Sequence, residues 1–188
     1  MKKILVVVDV QHDFVDGILG SKEAQAAIPN IAKKVNEYAN MEDTLIVYTR
    51  DTHGDNYYNT QEGKRLPIPH CIKDTIGWDI MSEVLNEDTA TLIVDKPSFG
   101  DILLGAKITE AVWEAKHFDS EDIVNYAPES IEVVGFCTDI CVVSNCMLLK
   151  SYFPESLIVV DSSCCAGVTP AKHEAALEVM RSCQIDVI

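Results

Sequence analysis

Cys141 is the residue whose type and position most favour nucleophilic chemistry. It follows the apolar run Ile131 to Val134 after a short polar segment, so it should lie past the end of a strand, in the first turn of a helix. Either Thr138 or Asp139 can cap that helix. Free N–H groups and the helix dipole favour a thiolate there and can hold the oxyanion of a tetrahedral intermediate. The position predicts a nucleophile, although cysteine is also among the residue types most often buried for packing alone.

Asp9 and Lys96 are the second pair of reactive candidates. A thiol that attacks an amide needs a group that moves its proton and a cation that steadies the charge. Asp9 directly follows the apolar run Ile4 to Val8, and Lys96 comes just after Ala90 to Val94. Each residue alone is also typical of a solvated strand end. Their common position at strand ends predicts that they meet Cys141.

A third group could hold a metal ion. Asp51 and His53 stand two apart on an extended segment, and Glu62 and His70 follow before Ile72. Mixed carboxylate and imidazole donors suit zinc, iron or manganese. The spacing is a weak signal by itself, because surface loops often combine histidines with acids. Three other histidines lack such neighbours and are interpreted as ordinary polar residues: His12, His117 and His173.

The elements that must position these residues alternate between strands and helices. Continuous runs rich in β-branched residues are typical of parallel strands covered on both faces. The runs are Ile4 to Val8, Thr44 to Tyr48, Ala90 to Val94, Ile131 to Val134, Leu157 to Val160 and Ile185 to Ile188. Helical stripes of apolar residues lie between several of them. The pattern predicts a three-layer, Rossmann-like α/β fold, with a mostly parallel sheet of about six strands and helices on both faces.

Two further segments carry specific expectations. Thr169 and Pro170 fit the N-cap and first position of a helix that continues to Cys183. The stretch from Asp51 to Ile72 has no helical stripe and contains several glycines and prolines. A loop this long within a compact domain is more often functional than idle. In open α/β sheets, ligands bind beyond the carboxyl ends of the strands, where all the candidate residues fall.

Length and composition limit the class of protein. The 188 residues fit one domain, expected to span 1–188, and the 47% hydrophobic and 24% charged residues are typical of a globular chain. A net charge of -15 disfavours nucleic acid and anionic membranes as partners. No apolar run approaches the length that spans a bilayer. Seven cysteines without a CxxC pair favour reduced thiols, and hence a cytoplasmic location.

The motifs together resemble those of a known family, the isochorismatase-like cysteine hydrolases, and within it the nicotinamidases. The resemblance covers nearly the whole chain. It depends on four strand ends: Asp9, Gln11, Asp13 and Phe14; Asp51 and His53; Lys96; and Gly135 through Thr138, Asp139, Cys141 and Val142. The last group is the most specific. These motifs indicate the family strongly and a particular substrate less strongly.

The resemblance implies a role for each catalytic residue. Cys141 would be the nucleophile, Asp9 the general base and then the acid, and Lys96 the cation that orients Asp9. A cis peptide bond between Phe136 and Cys137 would direct the N–H groups of Cys137 and Cys141 into an oxyanion hole. Cys137 is otherwise interpreted, from its position at the strand end, as a packing residue.

The resemblance also implies a metal and a substrate site. Asp51, His53 and His70 would be ligands of a divalent ion, and Glu62 lies where some members supply a fourth. Zinc is the first expectation, with iron or manganese as alternatives. The ion would bind the pyridine nitrogen of nicotinamide while Phe14 packs on the ring. Relatives are often dimers or tetramers, so a homo-oligomer is expected.

The chain departs from many nicotinamidases in two places. Asn56 to Tyr58 stand where many have an additional histidine, and Leu66 to Pro69 stand where many have a tryptophan before the matched His70. The pocket wall therefore differs, which affects the substrate more than the amidase chemistry.

The leading hypothesis is a nicotinamidase-type amidohydrolase that acts on nicotinamide or a similar small carboxamide through a cysteine thioester. Two alternatives stay within the family: an amidase for a carbamoyl or ureido compound, and an isochorismatase, which generally lacks the Asp51, His53 and His70 set. A non-enzymatic small-molecule sensor or scaffold is a third alternative. A redox protein, suggested by the adjacent Cys164 and Cys165, is a fourth; Ser162 to Cys164 are instead expected to end the fifth strand.

Overall fold

A single open sheet of six parallel strands forms the centre of the protein. The computed structural model describes residues 3–86, 90–116 and 126–188. The strands are β1 Lys3–Val8, β2 Thr44–Asp51, β3 Ala90–Lys96, β4 Ser130–Phe136, β5 Leu157–Ala166 and β6 Asp186–Val187. They are ordered β3-β2-β1-β4-β5-β6 and every pair is parallel. The predicted sheet is confirmed.

Helices cover both faces of this sheet. They are α1 His12–Val15, α2 Lys22–Ala39, α3 Gln61–Arg65, α4 Leu104–Lys116, α5 Val143–Tyr152 and α6 Pro170–Ser182. The predicted start of α6 is confirmed, since Thr169 is its N-cap and accepts a hydrogen bond from the Lys172 N–H at 3.3 Å. Among helices in the described ranges, none combines the length and apolar character needed to cross a membrane.

Strand β1 shows why the fold has three layers. Side chains of a strand alternate between its two faces. Ile4, Val6 and Val8 are buried in one cluster with residues of α4, α5 and α6. Leu5 and Val7 are buried in the other cluster with residues of α2. Each fully buried aliphatic side chain contributes about 1.5–3 kcal/mol through the hydrophobic effect, so the continuous apolar run fixes β1 at the centre.

Three details differ from the sequence-based expectations. The loop after β2 is not wholly irregular, because Thr60 accepts a hydrogen bond from the Gly63 N–H at 2.9 Å and caps the short helix α3. Strand β5 continues to Ala166, so the expectation that it ends at Ser162 to Cys164 was wrong. Polar side chains are tolerated there because Asp161 is paired with a lysine and Ser162 bonds to the backbone carbonyl of Ile188. Helix α6, expected to continue to Cys183, ends at Ser182, and Cys183 is its exposed C-cap.

Candidate active site

The candidate residues lie at the carboxyl ends of β1, β2, β3 and β4. The strand order reverses between β1 and β4, which places a crevice at their carboxyl ends. Gly135 allows these two strands to approach: its φ is +118°, and a Cβ at this position would lie 2.0 Å from the Val8 carbonyl oxygen. Only glycine fits both the angle and the space. The sequence therefore brings Asp9 close to the segment that follows β4.

Asp9, Lys96 and Cys141 meet in this crevice. The Lys96 Nζ is 2.7 Å from Asp9 Oδ2 and 3.6 Å from Cys141 Sγ. All three are buried. The hydroxyl of Thr49 donates to Asp9 Oδ1 at 2.6 Å, and Asp9 takes a left-handed backbone conformation with φ 50°, which aspartate tolerates better than most residues. Residues from three distant parts of the chain thus form one contact group.

Burial sets the protonation behaviour of this group. Burial raises the pKa of Asp9, an effect that the Lys96 ammonium opposes and the nearby Asp51 charge reinforces. Burial alone would lower the pKa of Lys96, but the charges of Asp9, Cys141 and Asp51 raise it above its usual value. Lys96 therefore stays protonated at neutral pH. An aspartate with a raised pKa is suited to accept and return a proton.

The pKa of Cys141 is raised well above its usual value, first by burial and then by the charge of Asp9. This contradicts the expectation that the start of a helix would favour a resting thiolate. Desolvation outweighs the cation and the backbone dipoles in this buried setting. The sulfur rests as a thiol, and its proton must leave as it attacks.

The turn that carries Cys141 also differs from the predicted helix start. Residues Thr138–Val142 form one π-helical turn, and neither Thr138 nor Asp139 caps it with a side chain. The Thr138 hydroxyl lies 2.8 Å from His173 Nδ1 of α6, and Asp139 Oδ1 accepts a hydrogen bond from the Val168 N–H at 2.8 Å. The Thr138 side chain therefore ties the turn to α6, and the Asp139 side chain ties it to the segment after β5. The peptide bond between Phe136 and Cys137 is cis, as the resemblance implied.

The four predicted metal ligands form a second group beside the first. One ligand atom from each of Asp51, His53, Glu62 and His70 lies within 4.8 Å of the other three. His53 Nε2 is 2.9 Å from Asp51 Oδ2 and 3.7 Å from Glu62 Oε1. His70 Nε2 is 3.5 Å from Asp51 Oδ2 and 3.6 Å from Glu62 Oε1. Two imidazole nitrogens facing two carboxylates within this span match the donor set of a divalent metal ion.

The surroundings of this group also suit an ion. His70 Nδ1 lies 2.9 Å from the Ile68 carbonyl oxygen, a contact that assigns the proton to Nδ1 and leaves the Nε2 lone pair for a metal. Burial acts to raise the pKa of Asp51, but the neighbouring side chains of His53 and His70 and the charge of Lys96 outweigh it and lower that pKa. Asp51 thus offers an ionised carboxylate to the donor set. Helix α3, in the loop after β2, carries Glu62 and places its carboxylate opposite the two histidines.

Asp51 joins the two groups. Its Oδ2 faces the two histidines, while its Oδ1 lies 3.4 Å from Lys96 Nζ. The Lys96 ammonium therefore lies between two carboxylates, Asp9 and Asp51. The Lys96 ammonium also lies between the Cys141 thiol and Asp51 of the donor set.

Gln11 and Asp13 position the donor set without belonging to it. The Gln11 amide donates to the carbonyls of Asp51 and Trp78 at 2.9 and 2.8 Å, and its oxygen accepts from the Asp51 N–H at 2.7 Å. Asp13 Oδ2 accepts from the Cys71 N–H at 2.7 Å, next to His70. The motif after β1 contained both residues, but no pattern in the sequence indicated these contacts. His173 was interpreted from the sequence as an ordinary polar residue, but its ring contacts the Thr138 hydroxyl. His117 lies outside the described residues.

A cavity of about 770 Å³ opens over both groups. Cys141, Cys137 and Phe14 line it, as do all four metal-ligand candidates. The Phe14 ring packs edge-on against His70, with ring centroids 5.5 Å apart. A planar ligand can therefore reach the sulfur, an aromatic ring and the donor set at once. A doubly wound α/β fold with such a site is typical of enzymes that use a cysteine nucleophile.

Comparison with known proteins gives the family. The chain belongs to the isochorismatase domain family, whose model matches residues 3–188. It is 24% identical over 197 residues to a nicotinamidase/pyrazinamidase of Mycobacterium tuberculosis, covering 99% of this chain and 98% of that protein. A pyrazinamidase/nicotinamidase structure from Streptococcus mutans matches with TM-score 0.78 at 24% identity, over 100% of both chains. A Pyrococcus horikoshii pyrazinamidase in complex with zinc matches with TM-score 0.76 at 22% identity, over 100% of this chain and 99% of that one.

Proposed function

We propose that this protein is a nicotinamidase-type cysteine amidohydrolase, which converts nicotinamide or a similar small carboxamide to the acid and ammonia. The single observation that carries the proposal is the contact of Lys96 with both Asp9 and Cys141, because Cys141 lines a cavity that the metal-ligand candidates also line. The Mycobacterium tuberculosis relative, named as a nicotinamidase/pyrazinamidase, supports the choice of substrate.

Acylation begins with Asp9 and Cys141. Asp9 accepts the Sγ proton while the sulfur attacks the amide carbonyl carbon, and the N–H groups of Cys137 and Cys141 hold the oxyanion. Asp9 then returns the proton to the amide nitrogen, the C–N bond breaks, and ammonia leaves a thioester on Cys141. Lys96 keeps its charge throughout and stabilises Asp9 in its ionised form.

Deacylation uses the same acid–base residue. Asp9 takes a proton from a water molecule, whose oxygen attacks the thioester carbonyl. The C–S bond breaks, the proton passes to Sγ, and the carboxylic acid leaves. One water is consumed for each ammonia released.

Asp51, His53, Glu62 and His70 would hold the metal ion. Zinc is the proposed ion, because two imidazoles and two carboxylates suit it and the Pyrococcus horikoshii pyrazinamidase was crystallised with it. When bound, the ion supplies a Lewis acid that can hold a ring nitrogen or a water molecule. Phe14 lies against His70 and would pack on the substrate ring.

The proposal also covers the compartment in which the protein works and its oligomeric state. All seven cysteines are free thiols, which fits a reducing compartment such as the cytoplasm. Exposed apolar side chains such as Ile102, 78% exposed, and Leu103, 55% exposed, would be covered in a homodimer or tetramer.

Ammonia release from nicotinamide is the direct test. Purified protein should release ammonia from nicotinamide, and Cys141→Ala should abolish turnover while metal content stays at the wild-type level. Cys146→Ala is the matched control, because Cys146 is also buried but does not line the cavity. Turnover of the Cys141→Ala variant at the parent rate would refute the assignment of the nucleophile.

A panel of other compounds separates the family alternatives. Ammonia from ureido compounds but none from nicotinamide would indicate a carbamoyl amidase, and cleavage of isochorismate alone would indicate an isochorismatase. Absence of turnover on every compound, with a Cys141 that resists alkylation at neutral pH, would favour a binding protein.

A further inference from the structure

The cavity is much larger than a single pyridine ring requires. Its volume of about 770 Å³ falls in the range of sites that enclose drug-sized ligands, roughly 300–1,000 Å³. A nicotinamide whose carbonyl lies at Cys141 and whose ring lies against Phe14 would occupy only the inner part. Most of the volume then remains outside the ring.

The outer part of the cavity has an apolar wall. Leu19, Phe99 and Val168 line it, from the segment after α1, the segment after β3 and the segment after β5. Phe99 is 44% exposed and Val168 is 51% exposed. A ligand that extended beyond the ring would cover these side chains, and burial of apolar surface favours such a ligand by roughly 25 cal/mol per Å².

One cation, the guanidinium of Arg65, also belongs to the cavity wall. Arg65, at the end of α3, lines the cavity. In the described part of the chain, its guanidinium has neither an ion-pair nor a side-chain hydrogen-bond partner. Glu62, one turn earlier on the same helix, faces His53 and His70 instead. Arg65 is exposed at the cavity wall, where it is a cation without an acidic partner among the described residues, in a protein with a net charge of -15.

The other charged residues of the cavity do not compete for an anion. Asp51 and Glu62 are the two acids among its lining residues, and both belong to the metal-ligand group. Arginine is well suited to carboxylate and phosphate because its planar donors can bind two oxygens at once. The cavity is therefore lined by a thiol and a donor set, by apolar side chains, and by a guanidinium that has no partner among the described residues.

We propose that the substrate of this site is a carboxamide whose ring carries an apolar extension ending in an anionic group, and that Arg65 binds this anion. The inference rests on the proposed amidase function and makes its substrate class more specific. A carboxylate and a phosphate share the required chemistry, and the experiment distinguishes them.

The test compares matched substrates. Pyridine-3-carboxamides with a short alkyl chain at each of the other ring carbons would be prepared with carboxylate, phosphonate and hydroxyl ends, and kcat/KM for ammonia release measured beside nicotinamide. For at least one ring position, an anionic chain should give a kcat/KM about tenfold above that of the hydroxyl-ended chain, since a charge-assisted hydrogen bond contributes about 1.5–3 kcal/mol. The better of the two anions identifies the natural end group.

Two variants assign any preference to Arg65. Arg65→Gln should remove the difference between anionic and hydroxyl-ended substrates, and Arg65→Glu should reverse it. Lys64→Gln is the matched control, because the neighbouring Lys64 is exposed but does not line the cavity, and it should retain the preference. Near-ultraviolet circular dichroism would establish that each variant is folded.

The outcomes separate the two proposals. Equal kcat/KM for anionic and hydroxyl-ended substrates at every ring position of the wild-type protein would overturn the inference, whether or not the variants fold. A preference that survives Arg65→Gln would also overturn it. Turnover of nicotinamide in either case would leave the amidase function intact, whereas no turnover of any carboxamide would remove that function and the inference with it.

Discussion

Two lysines in the described part of the protein are each held between two carboxylates, and one of them contacts residues that line the cavity. Lys96 lies between Asp9 and Asp51 at the carboxyl ends of the strands. Lys34 of α2 lies 2.6 Å from Glu132 of β4 and 2.7 Å from Asp161 of β5. Near-identical charge sets thus occur at two places in the fold, so the residue types alone do not define a site.

Burial and neighbours separate the two clusters. The side chains of Lys96, Asp9 and Asp51 are 0–2% exposed and adjoin a thiol. Those of Lys34, Glu132 and Asp161 are 12–16% exposed, and Glu132 accepts a further hydrogen bond from the Tyr38 hydroxyl at 2.8 Å. A complete set of polar partners, away from the cavity over the candidate active site, indicates a structural role. The Lys96 cluster instead contacts Cys141 and includes Asp51, which both line that cavity, and this indicates chemistry.

Replacing each lysine by methionine is the strongest test of whether the two clusters differ in function. Lys96→Met should lower kcat about 10²–10³-fold, because the charge that stabilises Asp9 is lost, and should also destabilise the fold by about 3–5 kcal/mol by leaving buried carboxylates unpaired. Lys34→Met should cost stability, about 1–3 kcal/mol, but leave kcat unchanged. Steady-state kinetics and urea unfolding of the two variants check both statements. Equal losses of kcat would show that the clusters do not differ in function.

Metal loss should have the next largest effect. His53→Ala should reduce bound metal far below one ion per chain and lower kcat/KM by at least about 100-fold, since even residues that only support a metal ligand change affinity or activity 10–100-fold. His12→Ala is the control, because His12 pairs with Asp16 outside the donor set. Elemental analysis and the ammonia assay measure the two quantities. Full activity of metal-free protein would contradict the assignment.

Acid pH should affect the Lys34 cluster by a smaller amount. Burial would raise the pKa of Asp161, but hydrogen bonds from Lys34 and Ser163 lower it below its usual value. The ionised carboxylate therefore stabilises the folded state above the unfolded pKa of about 3.9, and this contribution is lost as pH falls toward the lower folded-state value. Thermal unfolding from pH 6 to pH 2 should show a shallower fall of Tm for Asp161→Asn than for wild type, with Glu178→Gln as an exposed control. Parallel curves would exclude this contribution.

The sequence predicted the fold well because strands β1 to β5 each contain a run of mostly apolar residues. It also predicted where Asp9, Lys96 and Cys141 lie, since parallel strands bring their carboxyl ends to one edge. The Lys34 cluster was not predictable in the same way, because its partners come from α2, β4 and β5 and none stands at a strand end. Ser162 to Cys164 were instead expected to end β5, which continues to Ala166 with Asp161 paired to Lys34.

Tertiary contacts and burial account for two other differences between the predictions and the structure. Thr138 is a good N-cap residue, but its hydroxyl contacts His173 across the fold, and a tertiary contact of this kind leaves no periodic signal. The thiolate expectation for Cys141 considered only the helix start. It omitted the desolvation that raises the pKa, which depends on how completely the surrounding elements close over the sulfur.

The shared carboxyl group of Asp51 has a consequence for how this protein can change. One oxygen contacts the Lys96 ammonium and the other contacts the imidazoles, so electron density withdrawn on one side is felt on the other across a single carbon atom. The donor set and the charged neighbours of the thiol therefore cannot be altered independently at this residue. A descendant that lost Asp51 would lose a donor of the candidate metal site and one of the two anions beside Lys96 in the same evolutionary step.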